Sequence, residues 1–196
     1  KLVNLYRQDA SDRAVLTNLI EKEAIEVVYD LATIPLPTSM EKPEFAFNTN
    51  VDIAMNLVEL QRQDKFKTLI HFSSSEAYGS AMYYPMDENH PFNPTTPYGA
   101  SKAAADVLLT SYHKLYGLDL AIMRPFNNFG PRQNEGAYAG IIPITLKRIL
   151  NGQPPLINGD GKQTREFIYV KDTADACIRV YNEPKTRGQI LNVARG

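Results

Sequence analysis

The 196-residue sequence has one cysteine, Cys177, so no disulfide can close within the chain. A lone thiol fits a reducing compartment. No apolar run is long enough for a membrane-spanning helix. The opening Lys1-Leu2-Val3-Asn4-Leu5 is too short and too mixed for a secretion signal. These absences point to a cytoplasmic protein. Basic excess is missing too: the formal net charge is -1 and no Lys/Arg run occurs, so nothing argues for a nucleic-acid partner. No Cys/His/Asp cluster has metal-ligand spacing, and no G-x-S-x-G elbow points to a hydrolase. Glycine is absent until Gly79. There is no internal repeat and no low-complexity stretch.

What is present is an ordinary globular composition, 43% hydrophobic and 22% charged. Short apolar runs alternate with longer helical patterns, which predicts βα units and a parallel sheet. Strands are expected at 1–6, 26–32, 67–73, 118–124, 167–170 and 190–193. Helices are expected at 12–22 (with Ser11 as N-cap), 46–64, 98–116, 144–151 and 173–181. Pro35, Pro37 and Pro43 mark 35–44 as a loop. Leu108, Leu109, Tyr112 and Leu115 form the apolar stripe of the 98–116 helix. His71 reads as a satisfied core residue, and His90 and His113 as surface groups.

Two segments carry chemistry. Tyr98-Gly-Ala-Ser-Lys102 opens a predicted helix, and i, i+4 spacing puts Tyr98 and Lys102 on one face. A free phenol ionises near pH ~10, so a base working near pH 7 needs its tyrosinate stabilised by about 4 kcal/mol. A neighbouring ammonium and an oxidised nicotinamide could supply that. Upstream, a strand ends in Ser73-Ser74-Ser75-Glu76-Ala77-Tyr78-Gly79. The carboxyl ends of strands are where α/β sheets place ligand groups. A hydroxyl there can orient the substrate hydroxyl that Tyr98 deprotonates.

HFSSSEAYG followed by PYGASK resembles the extended short-chain dehydrogenase/reductase family of NAD-dependent nucleotide-sugar epimerases, dehydratases and decarboxylases. Arg124-Pro125-Phe126-Asn127-Asn128-Phe129-Gly130-Pro131-Arg132 is similar to the family's segment after the sixth strand. The run from Gly159 to Asp172 is similar to its diphosphate-binding stretch. The resemblance implies a Rossmann-like doubly wound parallel sheet with part of a smaller C-terminal substrate lobe. It also implies that NAD takes a hydride from C4 of a UDP- or dTDP-hexose while Tyr98 takes the hydroxyl proton. Lys102 would hold the nicotinamide ribose and lower the Tyr98 pKa. Ser74 matches the catalytic Ser/Thr, and Ser75 and Glu76 complete the catalytic set. Cofactor contacts are implied at Asp9 (adenine), Leu31, Ala32, Ser73 and Pro125, besides Tyr98 and Lys102. Substrate contacts are implied at Asn127, Arg132 and Arg165, where a guanidinium can pair bidentately with phosphate.

By the same resemblance, residues 1–125 are expected to be a partial NAD-binding Rossmann domain and 126–165 a substrate-binding segment. Residues 166–182 would return to the Rossmann domain and 183–196 would begin a further substrate lobe. The glycine-rich βαβ unit that receives the cofactor pyrophosphate is absent from these residues, so the chain is expected to be part of a longer one. A homodimer is implied, built on the helix after Pro43 and the one starting at Tyr98. Glu76 suits removal of the C5 proton once C4 is a ketone. It points to dehydration or decarboxylation without choosing between them, and a 4-epimerase stays open. A second reading, a non-catalytic nucleotide-binding fragment, draws on the missing glycine turn; a mere binder has no need of Ser74, Tyr98 and Lys102 together.

Overall fold

The computed structural model describes residues 3–136, 140–157 and 159–195. Four parallel strands form the main sheet in the order β1-β2-β3-β6. They are β1 (Val27–Asp30), β2 (Thr68–Phe72), β3 (Leu120–Pro125) and β6 (Ile190–Val193). Helices α3 (Pro43–Arg62) and α4 (Pro97–Tyr116) cover one face, and α6 (Val170–Asn182) the other. Alternation along each strand builds both cores. Leu69, Leu120 and Ile122 pack on Ile53, Leu57, Val58 and Leu109. Ile70, Ala121, Met123 and Val193 pack on Ile168, Cys177 and Val180. Burial pushes the Cys177 thiol up to about 11, so at neutral pH it is an uncharged core residue.

Helix ends follow local chemistry. In α1 (Arg13–Glu23) the N-cap is Asp12, one residue after the expected Ser11; its carboxylate accepts from the Ala14 and Val15 amides. Ser11 instead donates its hydroxyl to Asp9 (2.7 Å). Thr96 caps α4 by accepting from the Gly99 amide (3.0 Å), and Pro97 occupies the first turn, where no N–H is needed. Gly117, at φ 67°, ends α4 in the left-handed conformation.

Several expectations need correction. Lys1 and Leu2 lie outside the described residues, and residues 3–6 form no strand. Asn4 and Tyr6 reach Glu23 of α1 (3.4 and 2.6 Å), so this segment follows the helix instead of pairing with β1. The proline-rich 35–44 stretch holds a helix, α2 (Leu36–Glu41), because Pro35, Pro37 and Pro43 all fall at caps or first turns. A short strand, β4 (Asn127–Phe129), was not expected; it pairs in parallel with β5 (Phe167–Tyr169) apart from the main sheet. Residues 190–193, expected to lead into a further lobe, pair with β3 in the main sheet. Leu115 is exposed at the end of α4, beyond the covered stripe. His90 is buried: its ring lies against Tyr78 and Tyr83, Nε2 accepts from the Met82 amide, and Nδ1 donates to the Pro91 carbonyl. His71 is buried but only half satisfied, its Nε2 having no partner among the described residues.

A buried charge pair ties α4 to the sheet. Asp106 on α4 and Arg124 on β3 are both fully buried. Arg124 Nε donates to Asp106 Oδ2 (2.8 Å) and Nη2 lies 2.7 Å from the same oxygen, off the hydrogen-bond direction. Ser73 donates to that oxygen as well (2.7 Å). The Arg124 guanidinium is sandwiched by the rings of Tyr78 and Phe92, at 4.5 and 4.6 Å. Removing one member of such a pair strands the other charge in the core. Asp106→Ala is therefore expected to destabilise the fold by about 3–5 kcal/mol, checked by urea denaturation followed by circular dichroism.

Candidate active site

Beyond β2 the chain turns sharply. Ser74 caps a single 3-10 turn, Ser75–Ala77, its Oγ accepting from the Glu76 amide (3.2 Å). The first turn of α4 packs against this turn backbone to backbone. A Cβ at Gly99 would fall 2.4 Å from the Glu76 carbonyl oxygen, so only glycine allows the approach. Tyr98, the neighbour of Gly99, is thereby set against the Ser74–Glu76 segment. The Ser74 side chain favours the ionised form of the Tyr98 phenol, and the Glu76 carboxylate acts on it through its charge.

Two contributors were not read from the sequence. Thr33, just past β1, also favours the ionised phenol. Asn50 of α3 holds Thr33 and its neighbour in place. Its Oδ1 accepts from the Ile34 amide (2.6 Å) and the Thr33 hydroxyl (3.2 Å), while Nδ2 donates to the Ile34 carbonyl and to Ser101 Oγ (3.1 and 3.0 Å). Ser101 in turn donates to the Tyr98 carbonyl (2.7 Å). A buried Asn in a helix that packs on the core is the one signal the sequence offered for this clamp.

Lys102 lies one turn further along α4, 3% exposed, its Nζ donating to the Phe72 carbonyl (2.8 Å). Burial pushes its ammonium down, and the charges of Asp30 and Asp106 oppose that. The Tyr98 phenol is pushed up, first by burial and further by Glu76, against the opposing influence of the Ser74 and Thr33 side chains. The Lys102 ammonium is turned to the carbonyl at the end of β2.

The remaining candidates separate into groups. Leu31 and Ala32 are exposed at the carboxyl end of β1, and Pro125 ends β3, half-buried. Ser73, expected to touch the cofactor, spends its hydroxyl on Asp106 beneath the site. Asp9 sits on the exposed lead-in to α1, its carboxylate accepting from the amide and hydroxyl of Ser11. The β4–β5 pairing brings Asn127 beside the Arg165 segment: its amide N and Nδ2 both donate to the Glu166 carbonyl (3.1 and 2.9 Å). Arg165 is exposed, with one N–H on the Thr164 carbonyl (2.7 Å). Arg132, at φ 66°, lines a cavity of about 510 Å³ with Tyr169, Lys147 and apolar residues of α5 (Ile141–Leu150). Another cavity, of about 500 Å³, opens at the opposite end of the strands around Gln61, Lys65 and Asp119. Neither is lined by Tyr98. The strand-end position of the half-buried Tyr98, and not these two cavities, marks the site.

Comparison with known proteins adds a family to this geometry. The profile of the NAD dependent epimerase/dehydratase family matches residues 1–194. A putative UDP-glucose 4-epimerase of Methanocaldococcus jannaschii is 36% identical over 96% of this chain and 61% of its own length. A UDP-N-acetyl-alpha-D-glucosaminuronate decarboxylase of Bacillus cytotoxicus is 37% identical over 86% of this chain and 53% of its own. Among solved structures, the UDP-N-acetylglucosamine 4-epimerase of Methanobrevibacter ruminantium, in complex with UDP-N-acetylmuramic acid, superposes with a TM-score of 0.87 at 37% identity. That match covers 97% of this chain and 61% of that one. The chain therefore spans about three-fifths of the length of such relatives.

The Gly99 contact is directly testable. Gly99→Ala is expected to push α4 off the Ser74–Glu76 turn and cost about 1–3 kcal/mol; thermal denaturation gives the value.

Proposed function

The chain belongs to the NAD dependent epimerase/dehydratase family, and from that premise we propose that the protein it comes from oxidises a UDP- or dTDP-linked hexose at C4. Epimerisation at C4 or 4,6-dehydration would follow. The observation that carries this reading is the convergence of Ser74, Glu76 and Thr33 on the Tyr98 phenol, with Lys102 buried one turn away.

The residues at the strand ends fit the nicotinamide-riboside half of a dinucleotide. Lys102 gives one of its three N–H groups to Phe72, which leaves two donors for ribose hydroxyls. Leu31 and Ala32 offer an exposed apolar ledge beside it. NAD, when bound, supplies the hydride acceptor and a positive ring charge. The chain's own part is proton handling. Ser74 orients the sugar C4 hydroxyl, and Tyr98 takes its proton. Burial keeps Tyr98 a neutral phenol at rest, so its basic form depends on positive charge gathered at the site. Glu76, already within electrostatic reach of the phenol, can remove the C5 proton once C4 is a ketone. Asn127 and Arg165, adjoining across β4 and β5, would hold the sugar-nucleotide diphosphate. A homodimeric, cytoplasmic enzyme is part of this reading.

The Ser75-Glu76 pair and the likeness to the Bacillus cytotoxicus decarboxylase favour a second outcome, decarboxylation of a UDP-glucuronate-type substrate. Mass spectrometry of UDP- and dTDP-sugar reactions separates the routes: loss of water, loss of carbon dioxide, or an unchanged mass with altered retention. Tyr98→Phe is expected to lower turnover by about 100-fold or more with the fold intact, whereas near-normal rates would show that Tyr98 is not the base. Glu76→Gln is expected to slow dehydration or decarboxylation by about 100-fold; a rate within a few-fold of wild type would assign the protein to epimerisation.

A further inference from the structure

Three strands deliver polar side chains to one buried layer beneath α4. Asp30 ends β1, His71 and Ser73 come from β2 and the residue after it, and Arg124 comes from β3. From above, α4 lowers Lys102 and Asp106 onto them. Asp106 is taken up by Arg124 and Ser73. Asp30 stands outside that group. Its Oδ2 lies 2.7 Å from His71 Nδ1, and its Oδ1 accepts from the Ala32 amide (3.1 Å). Asp30 is 4% exposed and His71 2%.

A carboxylate accepts, so Nδ1 of His71 carries the proton in this bond. Nε2 is then left in the core with no partner among the described residues, a cost that an aliphatic residue at this position would avoid. A buried carboxylate also needs a cation in reach. Lys102 meets that need from beyond ion-pair distance, by register. Asp30 pairs with His71 across β1 and β2, and Lys102 Nζ sits on the carbonyl of Phe72, the next residue along. The field of Asp30 reaches the ammonium and opposes its desolvation.

We propose that Asp30, oriented by His71, is a positioning residue: it is the counter-charge that holds Lys102 as an ammonium at the Phe72 carbonyl, and it pins the Leu31–Ala32 strand end through the Ala32 amide. One carboxylate thus couples the lysine to the ledge that would lie against the nicotinamide. The inference rests on the reading of Lys102 as a working residue of the site. The charges that act on Lys102 are Asp30 from the sheet and Asp106 from its own helix, with His71 held on Asp30 and Arg124 on Asp106. Burial already pushes the lysine down. Taking away the Asp30 charge removes an opposing influence, so Lys102 must then lose its proton at lower pH.

The test reads the lysine directly and needs no turnover. In protein labelled with [13C]lysine, the Lys102 Cε signal is the one missing from Lys102→Arg. In Asp30→Asn, which keeps the shape and loses the charge, its titration midpoint is expected to fall by about one pH unit, with the other lysines unmoved. His71→Leu, which frees the carboxylate to rotate, is expected to lower the midpoint less, and His71→Asn, whose Nδ2 can replace Nδ1, to restore it. An unchanged midpoint in Asp30→Asn overturns the proposal. Should that variant fail to fold by circular dichroism, the His71 pair decides: no difference between Leu and Asn overturns it equally. Failure of the catalytic reading shows separately, as retained turnover in Tyr98→Phe.

Discussion

The carboxylate of Asp106 is the constraint on which the site depends. It is fully buried, and its Oδ2 gathers Arg124 from β3 and Ser73 from the end of β2. Tyr98, Lys102 and Asp106 lie at i, i+4 and i+8 on α4, one stripe of the helix. Anchoring the third member sets the rotation and height of the other two. The Gly99 contact then fixes the first turn against Ser74 and Glu76. Between the anchor and that contact, the helix carrying Tyr98 and Lys102 has little freedom to slide or turn.

Burial works against the chemistry such a site must do. Desolvation alone drives the phenol and the lysine toward their neutral forms, whereas proton abstraction needs tyrosinate and an ammonium. The structure answers with fixed polar groups. Ser74 and Thr33 favour the phenolate, and Asp30 and Asp106 favour the ammonium. Donors and charges held in place by packing need no reorganisation when the proton moves. The polar layer at the carboxyl ends of the strands sits directly above the apolar cluster of Leu69, Leu120, Ile122 and Leu109, so one sheet face changes from core to site along its length.

Much of this was legible in the residues. The apolar runs placed β1, β2, β3, β5 and β6 close to where they lie, and the periodic segments placed α1, α3, α4, α5 and α6. Errors came where a second structural level decided. Three prolines look like a loop until each falls on a cap or a first turn, where α2 and α3 tolerate them. Residues 3–6 have a strand-like composition, but Asn4 and Tyr6 spend their side chains on Glu23. His90, with proline on one side, reads as a loop residue, yet the loop folds its ring between Tyr78 and Tyr83.

The sequence by itself determined the fold class and the family resemblance, and it named Ser74, Glu76, Tyr98 and Lys102. Strand periodicity and helix spacing are local properties, and a motif's order along the chain survives any packing. Only the tertiary structure decided what acts on those groups. Thr33 and Asn50 come in from residues far from Tyr98 in sequence, Ser73 gives its hydroxyl to Asp106, and Lys102 reaches the Phe72 carbonyl. Desolvation and charge depend on distance in space, and the register of three strands under one helix sets those distances.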